Sequence, residues 1–151
     1  MDKSEIARTL MGSFKRLHHT LFKNLFLGMA TDMKPSPLFL MFRLQKAARD
    51  GKPGLRVSDI AASMGISVPG ITQIVTGLEK EGLVQRDMDP SDRRAVLVSA
   101  TEEGRKMMGP AYGRLENQFI GLIEHLGEKD SKKLMQLLNT LENYFEEKKQ
   151  D

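Results

Sequence analysis

The sequence predicts a mainly α-helical fold carrying one small β-wing, α+β in class, and three observations predict it. Apolar residues recur at spacings of three and four through most of the 151 residues, the period of an amphipathic helix. From Leu83 to Ser99 that rhythm gives way to a period-two alternation, interrupted by the turn-forming run Asp89-Pro90-Ser91-Asp92. Glycine, proline and serine mark most of the joints between helical stretches.

In chain order, Ile6, Leu10, Phe14, Leu17, Leu21, Leu25 and Met29 form one stripe of a long helix from Ser4 to about Ala30. Phe22 and Phe26 widen that stripe beyond what a small core needs, which predicts a partner surface. Lys34-Pro35-Ser36-Pro37 breaks the helix, with Ser36 as the next cap and Pro37 at the first helical position. Leu38–Arg49 follows with Leu38, Met41, Phe42 and Leu44 inward, and Asp50-Gly51-Lys52-Pro53-Gly54 closes it in a loop. A short extended piece at Leu55–Val57 leads to Ser58, a good cap for a helix over Asp59–Met64. Gly65 ends that helix, Ser67 caps another from Val68 to about Glu81, and Gly82 is placed for a left-handed turn. Strands over Leu83–Asp87 and Ala95–Ser99 come next. Thr101 caps a long helix to about Leu126, in which Pro110 removes a backbone hydrogen bond and predicts a kink. After Gly127, Ser131–Glu147 gives a last amphipathic helix with Leu134, Leu137, Leu138, Leu141, Tyr144 and Phe145 on one side.

Composition narrows the function. A formal charge of +3 permits a polyanionic partner without requiring one. With no cysteine, disulfides, thiolate zinc sites and thiol chemistry are excluded. His18 and His19 are neighbours on a helix and point apart, and His125 is distant in sequence, so no metal-ligand set is predicted. No nucleophile–base motif, phosphate-binding glycine loop or cofactor motif is present, and the prediction is a protein that is not an enzyme. The ten methionines read as flexible packing. The N-terminal charges and the interruption of Leu21–Ala30 by Lys23 and Asn24 argue against a signal peptide or a membrane span, so a cytoplasmic location is expected.

Two short helices meeting at a tight turn, followed by a hairpin tipped with Arg93 and Arg94, make the layout of a winged helix-turn-helix. In the second helix Ile71, Ile74, Val75 and Leu78 share the inward face. Pro69, Gly70, Thr72, Gln73 and Thr76 are left outward near its N-terminus, where a recognition helix meets base edges. Gln73 suits adenine, Thr72 and Thr76 suit thymine methyls or phosphates, and Pro69 and Gly70 allow close backbone approach. Paired arginines at an exposed tip repel each other unless a polyanion meets them. An arginine there can enter a narrow minor groove, and Asp92 can hold one guanidinium by a salt bridge.

Leu78-Glu79-Lys80-Glu81-Gly82-Leu83-Val84 running into Arg86, then Asp89-Pro90-Ser91-Asp92-Arg93-Arg94-Ala95-Val96 and Val98-Ser99-Ala100-Thr101 with Glu102-Glu103-Gly104, closely resemble the MarR family of winged-helix transcription regulators (multiple antibiotic resistance regulators). The resemblance covers nearly the whole chain. It implies that Arg94 is the minor-groove residue and Asp92 its positioning partner. It implies a helical dimerisation lobe from both termini, residues 1–34 and 110–151, around a DNA-binding lobe at 35–109. It also implies a homodimeric repressor on double-stranded DNA with a palindromic operator. Many members are released by a small aromatic or anionic effector, for which His18, His19, Phe22, Phe39, Phe42 and Arg43 are the candidate lining. The alternative from another class is a winged-helix protein-interaction module without DNA binding.

This chain departs from the family pattern in having Ala100 where leucine is common. Its recognition helix, Val68 to Leu78, also contains no lysine or arginine. Grip on the phosphates is therefore expected from Arg93, Arg94, Lys80 and Arg56, with Arg43, Lys46 and Lys52 around them. Direct readout of guanine through bidentate arginine is expected to be weak opposite that helix.

Overall fold

The structure, a computed structural model, describes residues 1–26 and 32–149. Two units divide the chain, Met1–Gly113 and Arg114–Asp151. The second unit holds the C-terminal part of α5 (Glu102–Leu126) and all of α6 (Glu128–Glu147). Glu128 and Asp130 lie in the first turn of α6, where their charge complements the helix dipole. The helix therefore begins three residues before Ser131, directly after Gly127, whose φ of 81° only glycine adopts freely.

The first unit opens with α1 (Lys3–Leu21), capped by Asp2, whose carboxylate accepts from the Glu5 N–H at 2.8 Å. The predicted single helix to Ala30 is corrected here. The α-helix stops at Leu21 and passes into a π-helical turn over Phe22–Phe26, an i→i+5 register that apolar spacing does not signal. The expected continuation through Met29 to Ala30 lies outside the described residues. None of α1 is buried, and Ile6, Leu10, Phe14 and Leu17 remain exposed along one stripe.

The core of this unit lies beneath the helix-turn-helix. Leu38, Leu40, Met41 and Leu44 of α2 (Pro35–Arg49) meet Ile60 of α3 (Val57–Met64), Ile71, Val75 and Leu78 of α4 (Val68–Lys80), Val98 and Met108, each almost wholly buried. Phe42 is only half-buried, and so is Ile74, a residue that helical phase assigns to the core. Two helix starts also move. The N-cap of α2 is Lys34, with Pro35 rather than Pro37 opening the helix. Pro37 is tolerated because N–H groups in a first turn have no intrahelical partner. The N-cap of α3 is Arg56 rather than Ser58.

Three antiparallel strands run in the order β1-β3-β2, from Leu55–Arg56, Asp92–Ala100 and Val84–Asp89 respectively. The wing strands are longer than predicted, since pairing reaches Asp89↔Asp92 beyond an irregularity at Met88/Asp89 and leaves Pro90-Ser91 as the tip.

Two further glycines in this unit are required by geometry. Gly65 closes α3 with φ 64°, as its position predicts. Gly104, in the first turn of α5, lies so close to the start of β2 that a Cβ would fall 2.1 Å from the Leu83 carbonyl oxygen. That neighbour is backbone and cannot rotate away. Gly104→Ala is therefore expected to destabilise the protein by at least about 1–3 kcal/mol, the usual cost of overpacking. Chemical denaturation checks this, with the surface change Lys106→Ala as the comparison; equal midpoints for Gly104→Ala and wild type would contradict the close packing.

Candidate nucleic-acid interface

The turn between α3 and α4 is built as the sequence predicts. Ser67 caps α4 by accepting from the Gly70 N–H at 3.2 Å, and Pro69 falls in the first turn where its missing donor costs nothing. Gly70 has a second role that sequence alone does not reveal. A Cβ there would meet Ile66 Cγ2 at 2.8 Å and Ser67 Oγ at 3.1 Å, so the residue is small because the turn packs against it. Pro69, Thr72 and Gln73 are exposed, and Thr76 is half-buried. Gln73 stands on the edge of a cleft of about 600 Å³ whose lining includes Lys34, Pro37, Ile74, Gly77 and Met107.

Both threonine hydroxyls fold back onto their own helix. Thr72 Oγ1 donates to the Val68 carbonyl at 3.0 Å and Thr76 Oγ1 to the Thr72 carbonyl at 2.8 Å. Arg86 on β2 then joins helix to wing. Its Nη2 donates to Thr76 Oγ1 at 3.0 Å and its Nη1 to Glu79 Oε1 at 2.8 Å. In the sequence Arg86 figures only as part of a motif. Its partners stand seven and ten residues back on another element, a pairing that no local spacing announces.

The wing is fixed at its base. Asp89 is 7% exposed; its Oδ2 accepts from Arg56 Nη2 at 2.7 Å and from Nε at 2.9 Å, a two-pronged contact of the stronger kind. Its Oδ1 accepts from the N–H and the hydroxyl of Ser91 at 2.9 and 2.8 Å. The Ser91 bonds foremost, and the Arg56 guanidinium after them, hold the Asp89 carboxyl below the ordinary carboxylate range, against a desolvation that pushes it up. The same pair raises the Arg56 guanidinium further. Arg56, expected to contact a polyanion freely, is thus engaged by the wing and half-buried.

Asp92 also acts differently from expectation. Its Oδ1 accepts from the backbone N–H of Arg94 at 3.0 Å, an Asx turn, and no ion pair joins it to either tip guanidinium among the described residues. It positions Arg94 through the main chain. A two-residue spacing suits that bond better than it suits a salt bridge. Arg93, Arg94 and Lys80 are exposed. The arrangement is an uncharged helix face flanked by exposed cations at the wing tip and at the end of α4, a shape and charge that duplex DNA would complement.

None of the described cavities is lined by the six residues expected around an effector. His18 and Phe22 stack along α1 and the following turn with ring centroids 6.4 Å apart. Phe42 tilts against Tyr112 at 6.1 Å, and Arg43 donates to the Ser63 carbonyl at 3.1 Å. Phe39 and His19 are exposed, and none of the six lines the cleft beside Gln73. The described residues contain no group of three or more potential metal ligands, and no single described helix is long and apolar enough to cross a membrane.

Residues 51–96 match the model of the MarR family, a span from the loop before β1 to within the second wing strand. An uncharacterized HTH-type transcriptional regulator of Bacillus subtilis, YfiV, is 32% identical over 97 residues, covering 64% of this chain and 61% of the relative. The homoprotocatechuate degradative operon repressor of Escherichia coli is 28% identical over 93 residues, covering 62% and 61%. The chain thus matches about three fifths of the length of each of these two curated relatives. Among solved structures, the transcriptional repressor CouR bound to a 23-mer DNA duplex superposes with a TM-score of 0.73 at 26% identity, covering 93% of this chain and 97% of that one.

The Arg56–Asp89–Ser91 cluster yields a pH signature. Because the folded Asp89 pKa is depressed, its contribution is fully present above the unfolded value of about 3.9 and is lost as pH falls through the folded value. Asp89→Asn is expected to lower the melting temperature at neutral pH. Scanning calorimetry between pH 7 and pH 3 should find the gap to wild type narrowing in the acid limb; a gap independent of pH would contradict the cluster.

Proposed function

We propose that this chain, whose residues 51–96 match the MarR family model, is a homodimeric, sequence-specific regulator of transcription of that family that binds double-stranded DNA and acts as a repressor released by a small molecule. The observation carrying this reading is the juxtaposition of an uncharged recognition face with exposed tip arginines. Thr72 and Gln73 lie on the exposed side of α4, while Arg93 and Arg94 project from a wing braced by Arg86, Arg56 and Asp89. A helix entering the major groove and a wing arginine entering the adjacent minor groove use both features. The relatives support the same role: CouR carries a DNA duplex, and the E. coli protein is named an operon repressor.

Dimerisation follows from the terminal helices. Neither α1 nor α6 buries a residue, yet α1 exposes Ile6, Leu10, Phe14, Leu17 and Leu21, and α6 exposes Leu134, Leu137, Leu138, Tyr144 and Phe145. Two stripes of that size are more apolar surface than a monomer leaves in water. We assign residues 1–34 and 110–151 to the dimerisation lobe and 35–109 to the DNA-binding lobe. Two-fold symmetry would then set two recognition helices against palindromic half-sites about 10 base pairs apart. An aromatic or anionic effector is the proposed releasing ligand, acting by favouring a dimer geometry that does not fit successive major grooves. His18, His19, Phe22, Phe39, Phe42 and Arg43 remain its proposed contacts in the dimer. The protein works by binding, without catalysis, in the cytoplasm.

Arg94→Ala tests the reading. It should weaken binding to a duplex site selected by the wild type by about 1–3 kcal/mol, the range for losing one base-directed arginine. Sedimentation should show the dimer unchanged. Undiminished affinity at moderate salt would remove the wing from the interface and return the molecule to a protein-binding role.

A further inference from the structure

We propose that the recognition helix identifies thymine through the γ-methyl groups of Thr72 and Thr76, and that Arg86 is the positioning residue that keeps Thr76 in that role. The inference rests on the DNA-binding reading above and specifies what its helix recognises.

A threonine hydroxyl has one hydrogen to donate. In Thr72 it is spent on the Val68 carbonyl, and in Thr76 on the Thr72 carbonyl. Phosphate oxygens, guanine N7 and O6, adenine N7 and thymine O4 are all acceptors, so a committed hydroxyl has nothing to give them. The oxygen of Thr76 is engaged once more, because it accepts from Arg86 Nη2 while Arg86 Nη1 is paired with Glu79. That pairing also ties up the guanidinium bonded to the helix face, so it is not available to guanine. With each hydroxyl hydrogen spent on the preceding turn, the γ-methyl is the group each side chain has left for apolar contact with a base. The two residues are four apart and therefore lie one above the other on the same face. Pro69 and Gly70, one turn earlier, add an apolar ring and a bare backbone, which extends the uncharged strip toward the helix N-terminus. The base feature complementary to such a strip is the C5-methyl of thymine, the apolar group that a T·A pair presents in the major groove.

The test uses a duplex obtained by selecting random double-stranded DNA with the full-length protein. Each thymine is then replaced singly by deoxyuracil, which removes the methyl and leaves every hydrogen-bonding group in place. One or two thymines per half-site should show a loss of about fourfold each, the effect of one buried methyl-sized group. In Thr72→Ser, which keeps the hydroxyl and loses the methyl, the penalty at one of those thymines should vanish; in Thr72→Val it should persist. Arg86→Ala should reduce the penalty at the thymine opposite Thr76. Each comparison is a ratio between two duplexes measured on one protein preparation, so a partly unfolded variant cannot imitate the result. If wild type selects a site and every uracil substitution is silent, methyl readout is overturned while DNA binding stands. If no duplex is selected, the DNA-binding reading itself fails.

Discussion

Three chain segments meet at Thr101, and the placement of the proposed DNA-reading helix depends on that meeting. Its hydroxyl donates to the Gly82 carbonyl at 2.6 Å and accepts from the Gly104 N–H at 3.1 Å, while its own N–H donates to the Leu83 carbonyl at 3.0 Å. One side chain therefore ties the turn that ends α4 to the cap that begins α5, at the exit of β3. Gly104 makes the crossing possible by carrying no Cβ against Leu83. A short hydrogen bond between partly buried groups is worth more than an exposed one, because little water competes for it. The far end of α4 is fixed independently by the Ser67 cap, and its middle by Arg86. A helix held at three points can present side chains to a base pair with little freedom left to lose, which is how preorganisation helps binding.

From that constraint the division of labour follows. Two of the cations around the helix are neutralised within the protein, Arg86 by Glu79 and Arg56 by Asp89. Those left for phosphates and the minor groove lie at the periphery, on Arg93, Arg94 and Lys80. In the proposed reading, recognition falls to the first turns of α4, and electrostatic grip to the wing tip and the C-terminal end of that helix. The half-exposed Arg86–Glu79 pair orients the wing more than it strengthens the fold, since exposed and half-exposed pairs contribute little stability.

Much of the fold was legible because it is written in local chemistry. Gly65, Ser67 and Gly82 mark the ends of two helices through their own backbone and capping preferences, and Thr101 announces α5 in the same way. The misreadings have physical causes. Two prolines in one first turn, Pro35 and Pro37, are equally tolerable, so proline alone could not choose between starts. The π-helical turn after Leu21 leaves no trace in apolar spacing. At the site, Thr72, Gln73 and the tip arginines follow from helical phase and turn composition. The roles of Arg86, of Arg56 toward Asp89, and of Asp92 toward the Arg94 main chain depend on which strand faces which helix. A two-residue Asx spacing was the one available signal, and it pointed to the backbone.

The claim that helix and wing divide the work is tested most directly by the salt dependence of binding to a selected duplex. For wild type, log K against log salt has a slope set by the number of phosphates neutralised. Replacing Arg93 or Lys80 with alanine should lower that slope by about 0.9 for each phosphate that the side chain neutralises. Gln73→Ala should reduce affinity with the slope unchanged. A slope that falls with Gln73→Ala and stays constant when the cations are removed would contradict the account.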